Sequence, residues 1–364
     1  MLCTIYTPAL LPKLMLKRQP YYLYAALLLT LAACSKNDSA PPAPEPPAVV
    51  IAAPPDFGFK VVGYFPSYRD VNAVPDIKFR MTNVVNYAFF TVNSSGGLTI
   101  NNPSTLNAVI TKAKANNAKV MIALSGAAAD FKNMAATATG RNNFIKQLMG
   151  YVRSYQVHGV DMDWEFPSTS DGTDITYTAL MKELSDSCHR DGKYYLTAAI
   201  TAGKYAGGYR DAIKAELFNY VDWFNVMVYD DFSTSVPYKQ HSDMALVTTC
   251  MNYWLNTRSM PRSKFVLGLP AYGRPSGITQ SGTVWSYGSI IAAGGSPLSD
   301  SAVVTNTALP GPYTVYYNGQ PTIKKKAILA KQQAAGIMLW EKGQDSHDAT
   351  SLLKAACDTI GRTY

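Results

Sequence analysis

The stretch Gly159-Val160-Asp161-Met162-Asp163-Trp164-Glu165-Phe166-Pro167 decides how the chain is read. Val160, Met162 and Trp164 alternate with Asp161, Asp163 and Glu165. On an extended strand alternate side chains share a face, so three carboxyls point one way and three apolar groups the other. Three carboxyls at that spacing cannot all ionise cheaply. Repulsion and desolvation raise the pKa of at least one, and a carboxyl that keeps its proton near neutral pH is what a general acid needs. Glu165 lies furthest along the strand, where it can reach a scissile oxygen. Taken alone, the residues also fit an acidic strand end facing water or a divalent-cation site.

Working outward, seven more apolar runs rich in β-branched and aromatic residues flank this one. They are Lys60–Phe65, Asn83–Phe90, Lys119–Leu124, Tyr195–Ile200, Trp223–Tyr229, Phe265–Leu269 and Gly336–Trp340, with the central run taken as Gly159–Trp164. Between them lie amphipathic stretches. Leu106, Val109, Ile110 and Ala113 follow helical spacing after Pro103, which suits a first helical turn, and Phe144, Leu148, Tyr151, Val152 and Tyr155 repeat the pattern. Eight runs in residues 59–364 leave roughly 38 residues per strand-plus-helix unit, which points to a (β/α)8 barrel with its site at the C-terminal strand ends. The Gly- and Ser-rich segment from Arg274 to Pro312 is too long for a loop. It reads as a small insertion between strands seven and eight, beside the mouth.

The N-terminus reads as an address. Lys17 and Arg18 precede an apolar stretch, Tyr21 to Ala33, of signal-peptide length and short for a membrane span. Leu31-Ala32-Ala33-Cys34 looks like the lipobox of a bacterial lipoprotein, so residues 1–33 are expected to be removed and Cys34 acylated. Met15-Leu16-Lys17-Arg18 offers a second start with the usual short basic segment. Residues 34–57 are dense in Pro and Ala and read as a semi-rigid tether, leaving 58–364 as the barrel. The expected location is a lipid-anchored protein on a bacterial, outer-type membrane.

Composition excludes other classes. With 47% hydrophobic and 16% charged residues the 364-residue chain is neither disordered nor polytopic. The formal charge of +8 falls to +5 once residues 1–33 are set aside, and that surplus is spread along the chain, giving no nucleic-acid footprint. The four histidines have no ligand spacing, and no phosphate-binding glycine motif occurs, so neither metal nor cofactor is expected. Beyond Cys34, the cysteines Cys188, Cys250 and Cys357 read as small buried side chains rather than a disulfide framework. Lys324-Lys325-Lys326 reads as the solvated face of a helix start. A monomer is expected.

The motifs together resemble glycoside hydrolase family 18, the family of chitinases and some endo-β-N-acetylglucosaminidases. Asp161 to Pro167 is similar to its DxDxE signature. Val61-Val62-Gly63-Tyr64-Phe65 resembles its first strand and Asn86-Tyr87-Ala88-Phe89 its second. Met227-Val228-Tyr229-Asp230 resembles its MxYD motif on the sixth, Gly268-Leu269-Pro270-Ala271-Tyr272-Gly273-Arg274 its seventh, and Gly336-Ile337-Met338-Leu339-Trp340 its eighth. Two positions depart from the pattern. His158 stands where the family usually has an outer Asp, which is expected to shift the pH optimum. Ala123-Leu124-Ser125-Gly126 replaces the usual SxGG on the third strand, so no site residue is carried over from it.

The resemblance implies a retaining, substrate-assisted hydrolysis of β-1,4-linked N-acetylglucosamine in chitin or its oligosaccharides. Glu165 is then the acid, and Asp163 orients the substrate's 2-acetamido group. Asp161 sets the pKa of Asp163, and Tyr229 donates to the acetamido oxygen. Asp230, Met227, Trp340, Tyr64, Phe89, Tyr272 and Arg274 line the cleft. The rival readings are an endo-β-N-acetylglucosaminidase acting on N-glycans and a non-catalytic, lectin-like glycan binder.

Overall fold

The computed structural model describes residues 50–190, 192–233, 235–277 and 281–364. The leader, Cys34 and most of the tether lie outside these. The eight apolar runs form eight strands: Lys60–Pro66, Val84–Val92, Lys119–Ser125, Gly159–Met162, Tyr195–Thr201, Trp223–Met227, Phe265–Pro270 and Gly336–Trp340. Each pairs in parallel with its neighbours, and the first pairs with both the second and the eighth, so the sheet closes. Helices cover the outside, among them Pro103–Ala115, Ala138–Ser154, Thr173–Cys188, Gln320–Gln333 and Leu352–Ile360. This is the (β/α)8 barrel the spacing predicts.

Period-two alternation sorts the strand residues into two cores. Val61 and Phe65 join the large cluster between strands and helices, whereas Val62 and Tyr64 face into the barrel with Val84, Met121, Val266 and Met338. The helical stripes behave likewise: Leu106, Val109, Ile110 and Ala113 are buried under Pro103–Ala115, whose Pro occupies the first turn. Three strands depart from their expected limits by two residues. The fourth leaves the ladder after Met162 and the sixth after Met227, so Asp163 to Glu165 and Val228 to Asp230 stand in the mouth rather than in the sheet. The second strand runs on to Val92 and carries a short antiparallel partner, Leu98–Ile100.

At the opposite end the barrel is plugged. Phe57 meets Tyr195 and Trp223 edge-on at 5.4 and 5.8 Å, Tyr195 Oη donates to Pro55 O at 2.8 Å, and Ile51 bridges to Arg190. The last residues of the segment read as tether therefore belong to the barrel floor. The insertion is a small β-structure: Tyr272–Gly273 pairs with Trp285–Ser286, and Ser301–Val304 with Tyr313–Tyr316, around a helix at Tyr287–Ala292. It packs its own buried side chains Tyr287, Ile290, Val315 and Tyr317. Cys188, Cys250 and Cys357 are free and buried, and burial pushes the thiols of Cys250 and Cys357 up to about 12.

The lysine triplet corrects the sequence reading. Lys324 and Lys325 are exposed, but Lys326 is fully buried. It sits three residues after Ile323 and four before Ala330, on the apolar stripe of Gln320–Gln333, so helical geometry carries it inward. Its ammonium donates to Ser242 O at 2.5 Å, Ser242 Oγ at 2.7 Å and Asn318 Oδ1 at 2.7 Å. All three acceptors are neutral, and burial lowers its pKa to about 7. A lowered folded value means that the unfolded chain holds the proton more tightly between about pH 7 and 10, so the lysine's contribution to stability rises over that window. Denaturant unfolding of wild type and Lys326→Met at pH 7 and pH 9.5 is expected to show the difference moving in favour of wild type at the higher pH. A difference independent of pH would mean that the amine is not desolvated.

Candidate active site

The C-terminal mouth holds a cavity of about 420 Å³. Eight of the expected residues line it: Tyr64, Asp163, Glu165, Met227, Tyr229, Asp230, Tyr272 and Trp340. Asp161 lies one layer deeper. Phe89, half-buried, does not line the cavity but stacks on Trp340 with ring centroids 5.8 Å apart, and Arg274 reaches Asp230 with its guanidinium 4.2 Å from the Phe232 ring centroid.

Asp161 is fully buried and held by three strands. Tyr64 Oη of the first strand donates to Oδ2. Thr197 Oγ1 of the fifth donates to Oδ1 at 2.5 Å, and Asn225 Nδ2 of the sixth to Oδ1 at 3.0 Å. Burial raises its pKa, and the hydrogen bonds oppose the rise. Asn86 of the second strand also favours the charged form, although neither of its amide atoms meets hydrogen-bond geometry. Asp163, buried above it, has less support. Its Oδ1 finds no hydrogen-bond partner among the described residues. Burial, then the charges of Glu165 and Asp161, raise its pKa well above the carboxylate range. Asp163 is therefore the place where a proton shared by the column is held most tightly.

Glu165 opens to solvent at the cavity, yet protein atoms crowd it on most sides. That crowding raises its carboxyl, with a further push from Asp230, while its hydrogen bond with Asp163 works the other way. Trp164 turns outward onto Phe131, with centroids 5.2 Å apart and planes 12° from parallel, which anchors the segment and keeps the carboxyls on the inner face. Tyr229 faces the column, and burial together with Asp163 and Glu165 raises its phenol well above the usual value, so it remains a neutral donor. Asp230 adopts φ 63° after the sixth strand and accepts from Tyr272 Oη at 2.7 Å. Arg274 Nη1 lies 3.4 Å from the same oxygen.

Several supporting groups were not anticipated. His241, buried, accepts the Asp230 N–H at Nδ1 (3.2 Å) and faces Tyr272 O through Nε2 (3.3 Å), and burial lowers its pKa to about 3, so it stays neutral. Thr197 and Asn225 were also missed, although they share the inward parity of Thr201 and Met227. Trp340 is backed by Glu341, whose buried carboxylate takes Arg69 Nη2 at 2.6 Å. His158, by contrast, lies at the barrel's other end, where its Nδ1 accepts from Val120 N at 3.1 Å. It does not face the cleft, so the expected effect on the pH optimum has no path. The third strand supplies no residue to the cavity lining.

The sequence profile of the glycosyl hydrolases family 18 matches residues 60–345. The chain belongs to that family. It is 27% identical over 303 residues to chitotriosidase-1 of Mus musculus, covering 76% of this chain and 58% of that protein, so it spans little more than half the length of that relative. Among solved structures, the family 18 chitinase ChiB from the chitin utilization locus of Flavobacterium johnsoniae is 27% identical with a TM-score of 0.67, covering 83% of this chain and 94% of that one. A chitinase-like agglutinin from Robinia pseudoacacia shares the fold at 22% identity and a TM-score of 0.67, covering 82% and 99%.

The family 18 carboxylate column makes a stability prediction. A carboxyl whose folded pKa is raised contributes stability that is complete below the unfolded value, about 3.9, and is lost as pH rises through the folded one. Asp163→Asn removes that loss. The variant is expected to melt above wild type at pH 7, with the gap closing toward pH 4. A variant that melts below wild type at every pH would show Asp163 to be a stabilising anion.

Proposed function

We propose that the chain hydrolyses β-1,4 linkages between N-acetylglucosamine units of chitin or its oligosaccharides with retention of configuration. The observation that carries this reading is the buried Oδ1 of Asp163, without a hydrogen-bond partner among the described residues, beside Glu165 and Tyr229. A buried acceptor without a partner costs about 1–3 kcal/mol, and a site that leaves one open in its cavity wall is suited to a ligand N–H. The 2-acetamido group offers that N–H together with a carbonyl oxygen for the Tyr229 phenol.

In this reading the −1 sugar rests on Trp340. The proton that the resting column holds on Asp163 passes to Glu165, which gives it to the glycosidic oxygen as the C1–O bond breaks, and the acetamido carbonyl oxygen closes on C1 to form an oxazolinium. Asp163, left as a carboxylate above the anchored Asp161, stabilises the positive charge that develops. Glu165, now a carboxylate, takes a proton from water as the water oxygen attacks C1 and reopens the ring. Two inversions return the β-configuration.

The shared fold does not separate hydrolysis from the glycan binding of a lectin, but Glu165 does, because binding needs no acid. Glu165→Gln keeps the shape and removes the transferable proton, so turnover is expected to fall by roughly 10² to 10⁴ while oligosaccharide binding persists. Proton NMR of fresh wild-type product is expected to show the β-anomer first. An initial α-anomer would mean direct attack by water and would remove the roles given to Asp163 and Tyr229. A mass-spectrometric product profile on chitin oligomers beside a high-mannose glycopeptide separates chitinase from endo-β-N-acetylglucosaminidase action.

We also propose that Cys34 carries a lipid anchor, a reading supported by Leu31-Ala32-Ala33-Cys34 behind a basic, apolar leader. Several acyl chains bind a bilayer far more stably than one. Cell fractionation of Cys34→Ala should find the protein moved from the membrane pellet to the soluble fraction, and a variant that stays in the pellet would refute the anchor.

A further inference from the structure

The pole of the barrel opposite the cleft has a surface of its own, and the reaction leaves it unused. The N-terminal segment docks there: Ile51 bridges to Arg190, Ala52 N donates to His189 O at 3.0 Å, and Phe57 plugs the strand starts. Docking leaves two large apolar side chains outside, Val50 at 58% exposure and Ile51 at 50%.

Around them the surface is cationic. Arg190 and Lys193 follow the helix Thr173–Cys188, Arg262 precedes the seventh strand, and Lys114 and Arg153 lie in the last turns of Pro103–Ala115 and Ala138–Ser154. All five are exposed. The carboxylates that flank the Phe57 plug are engaged: Asp56 holds Lys60 at 2.6 Å, and Asp222 accepts from Leu196 N at 2.7 Å and faces His189 at 3.1 Å. Among the described residues no ion pair takes Arg190, Lys193 or Arg262, and Asp191, between the first two in sequence, lies outside them. Lys114 and Arg153 also answer the carbonyl ends of their helices. Arg262 opens a single 3-10 turn, where no helix dipole calls for a cation.

Apolar side chains set among cations suit a lipid interface, where the former enter the headgroup layer and the latter meet anionic lipids. Chain length adds to this. Residues 35–49 are all that separate Cys34 from Val50, and even fully extended they span no more than about 55 Å. An acylated Cys34 therefore keeps the barrel close to the bilayer, and charge decides which pole turns toward it. The floor offers unpaired cations, whereas Glu165, Asp230 and Asp231 line the mouth against Lys204.

We propose that the barrel floor is a membrane-facing surface, on which Arg190, Lys193 and Arg262 meet anionic phospholipid headgroups and Val50 and Ile51 enter the interface, so that the cleft opens away from the bilayer. This rests on the lipid-anchor reading of Cys34, and the test separates the two. The acylated chain is placed in vesicles of phosphatidylethanolamine with phosphatidylglycerol, in vesicles of phosphatidylcholine alone and in detergent, and lysine acetylation is followed by mass spectrometry. Lys114 and Lys193 are expected to react roughly tenfold more slowly in the phosphatidylglycerol vesicles than in detergent. Lys132 and Lys324, exposed on helices at the mouth end, should react alike in both. Arg190→Glu combined with Arg262→Glu should remove the protection, as should about 0.5 M salt, with melting temperatures confirming that the variant folds. Equal reactivity at the two poles, or protection that persists in phosphatidylcholine or in the variant, would overturn the surface. A wild type whose intact mass shows no acyl chain counts against the anchor reading alone. The surface is then judged by sedimentation of that protein with phosphatidylglycerol vesicles at about 50 mM salt, where the double variant must bind roughly tenfold more weakly and equal binding overturns it.

Discussion

A carboxyl group enclosed within a β-barrel sets the terms for everything above it. Asp161 has no access to water, and its cost of burial is met by donors from three different strands, Tyr64, Thr197 and Asn225. Those donors bind only if strands one, five and six keep their register with strand four. A slip of one residue would turn each side chain outward and leave the carboxyl alone. The interaction is therefore better understood as fixing geometry than as adding stability, since an apolar group of the same size would cost less to bury. Tyr64, while holding Asp161, also places its ring 5.3 Å from Trp340, so the same contact that fixes the bottom of the column helps to fix the sugar platform.

Above that layer the donors run out by degrees. Asp161 has three, Asp163 has an oxygen with none among the described residues, and Glu165 faces the cavity. A proton is held most firmly where charge is least supported, which puts it between the anchored anion and the open end. The unmet demand of Asp163 is a stability cost located where a ligand can relieve it, a common arrangement at sites that bind the reacting state more tightly than the resting one.

How much of this was legible in the sequence follows from the two periodicities. Alternation in Asp161-Met162-Asp163-Trp164-Glu165 places the carboxyls correctly, because a barrel strand has only two faces and Trp164 must take the apolar one. Eight such runs alternating with helical stretches give the barrel. The groups that hold the column were harder to see. Thr197 and Asn225 carry the right parity, but a Thr or an Asn within an apolar run does not announce a buried partner from another strand. Lys326 was misread because a run of three lysines suggests a solvated face, whereas the stripe Ile323, Lys326, Ala327, Ala330 requires the third to point inward. Phe57 looked like the end of a Pro-rich tether, since its partners Tyr195 and Trp223 lie more than a hundred residues away. Lys326 was there in the local stripe, whereas Thr197, Asn225 and Phe57 act through long-range contacts that local pattern cannot contain.

The two ends of the barrel divide the burden of stability and chemistry. The floor is closed by aromatic contacts among Phe57, Tyr195 and Trp223, which bury apolar surface and, among the described residues, leave only the Trp223 indole of these three without a partner. The mouth carries the raised carboxyls and the positive-φ Asp230, which hold the chain in states it would not choose for stability alone. The insertion after the seventh strand belongs with the floor in this respect. With its own buried Tyr287, Ile290 and Tyr317, it fixes the position of Tyr272 and Arg274 by pairing Tyr272–Gly273 to Trp285–Ser286 and bridging Arg274 to Tyr316. Asp230 is thereby gripped by the Tyr272 phenol and the Arg274 guanidinium, which makes the sixth-strand end rigid while the Tyr272 ring joins the cleft wall.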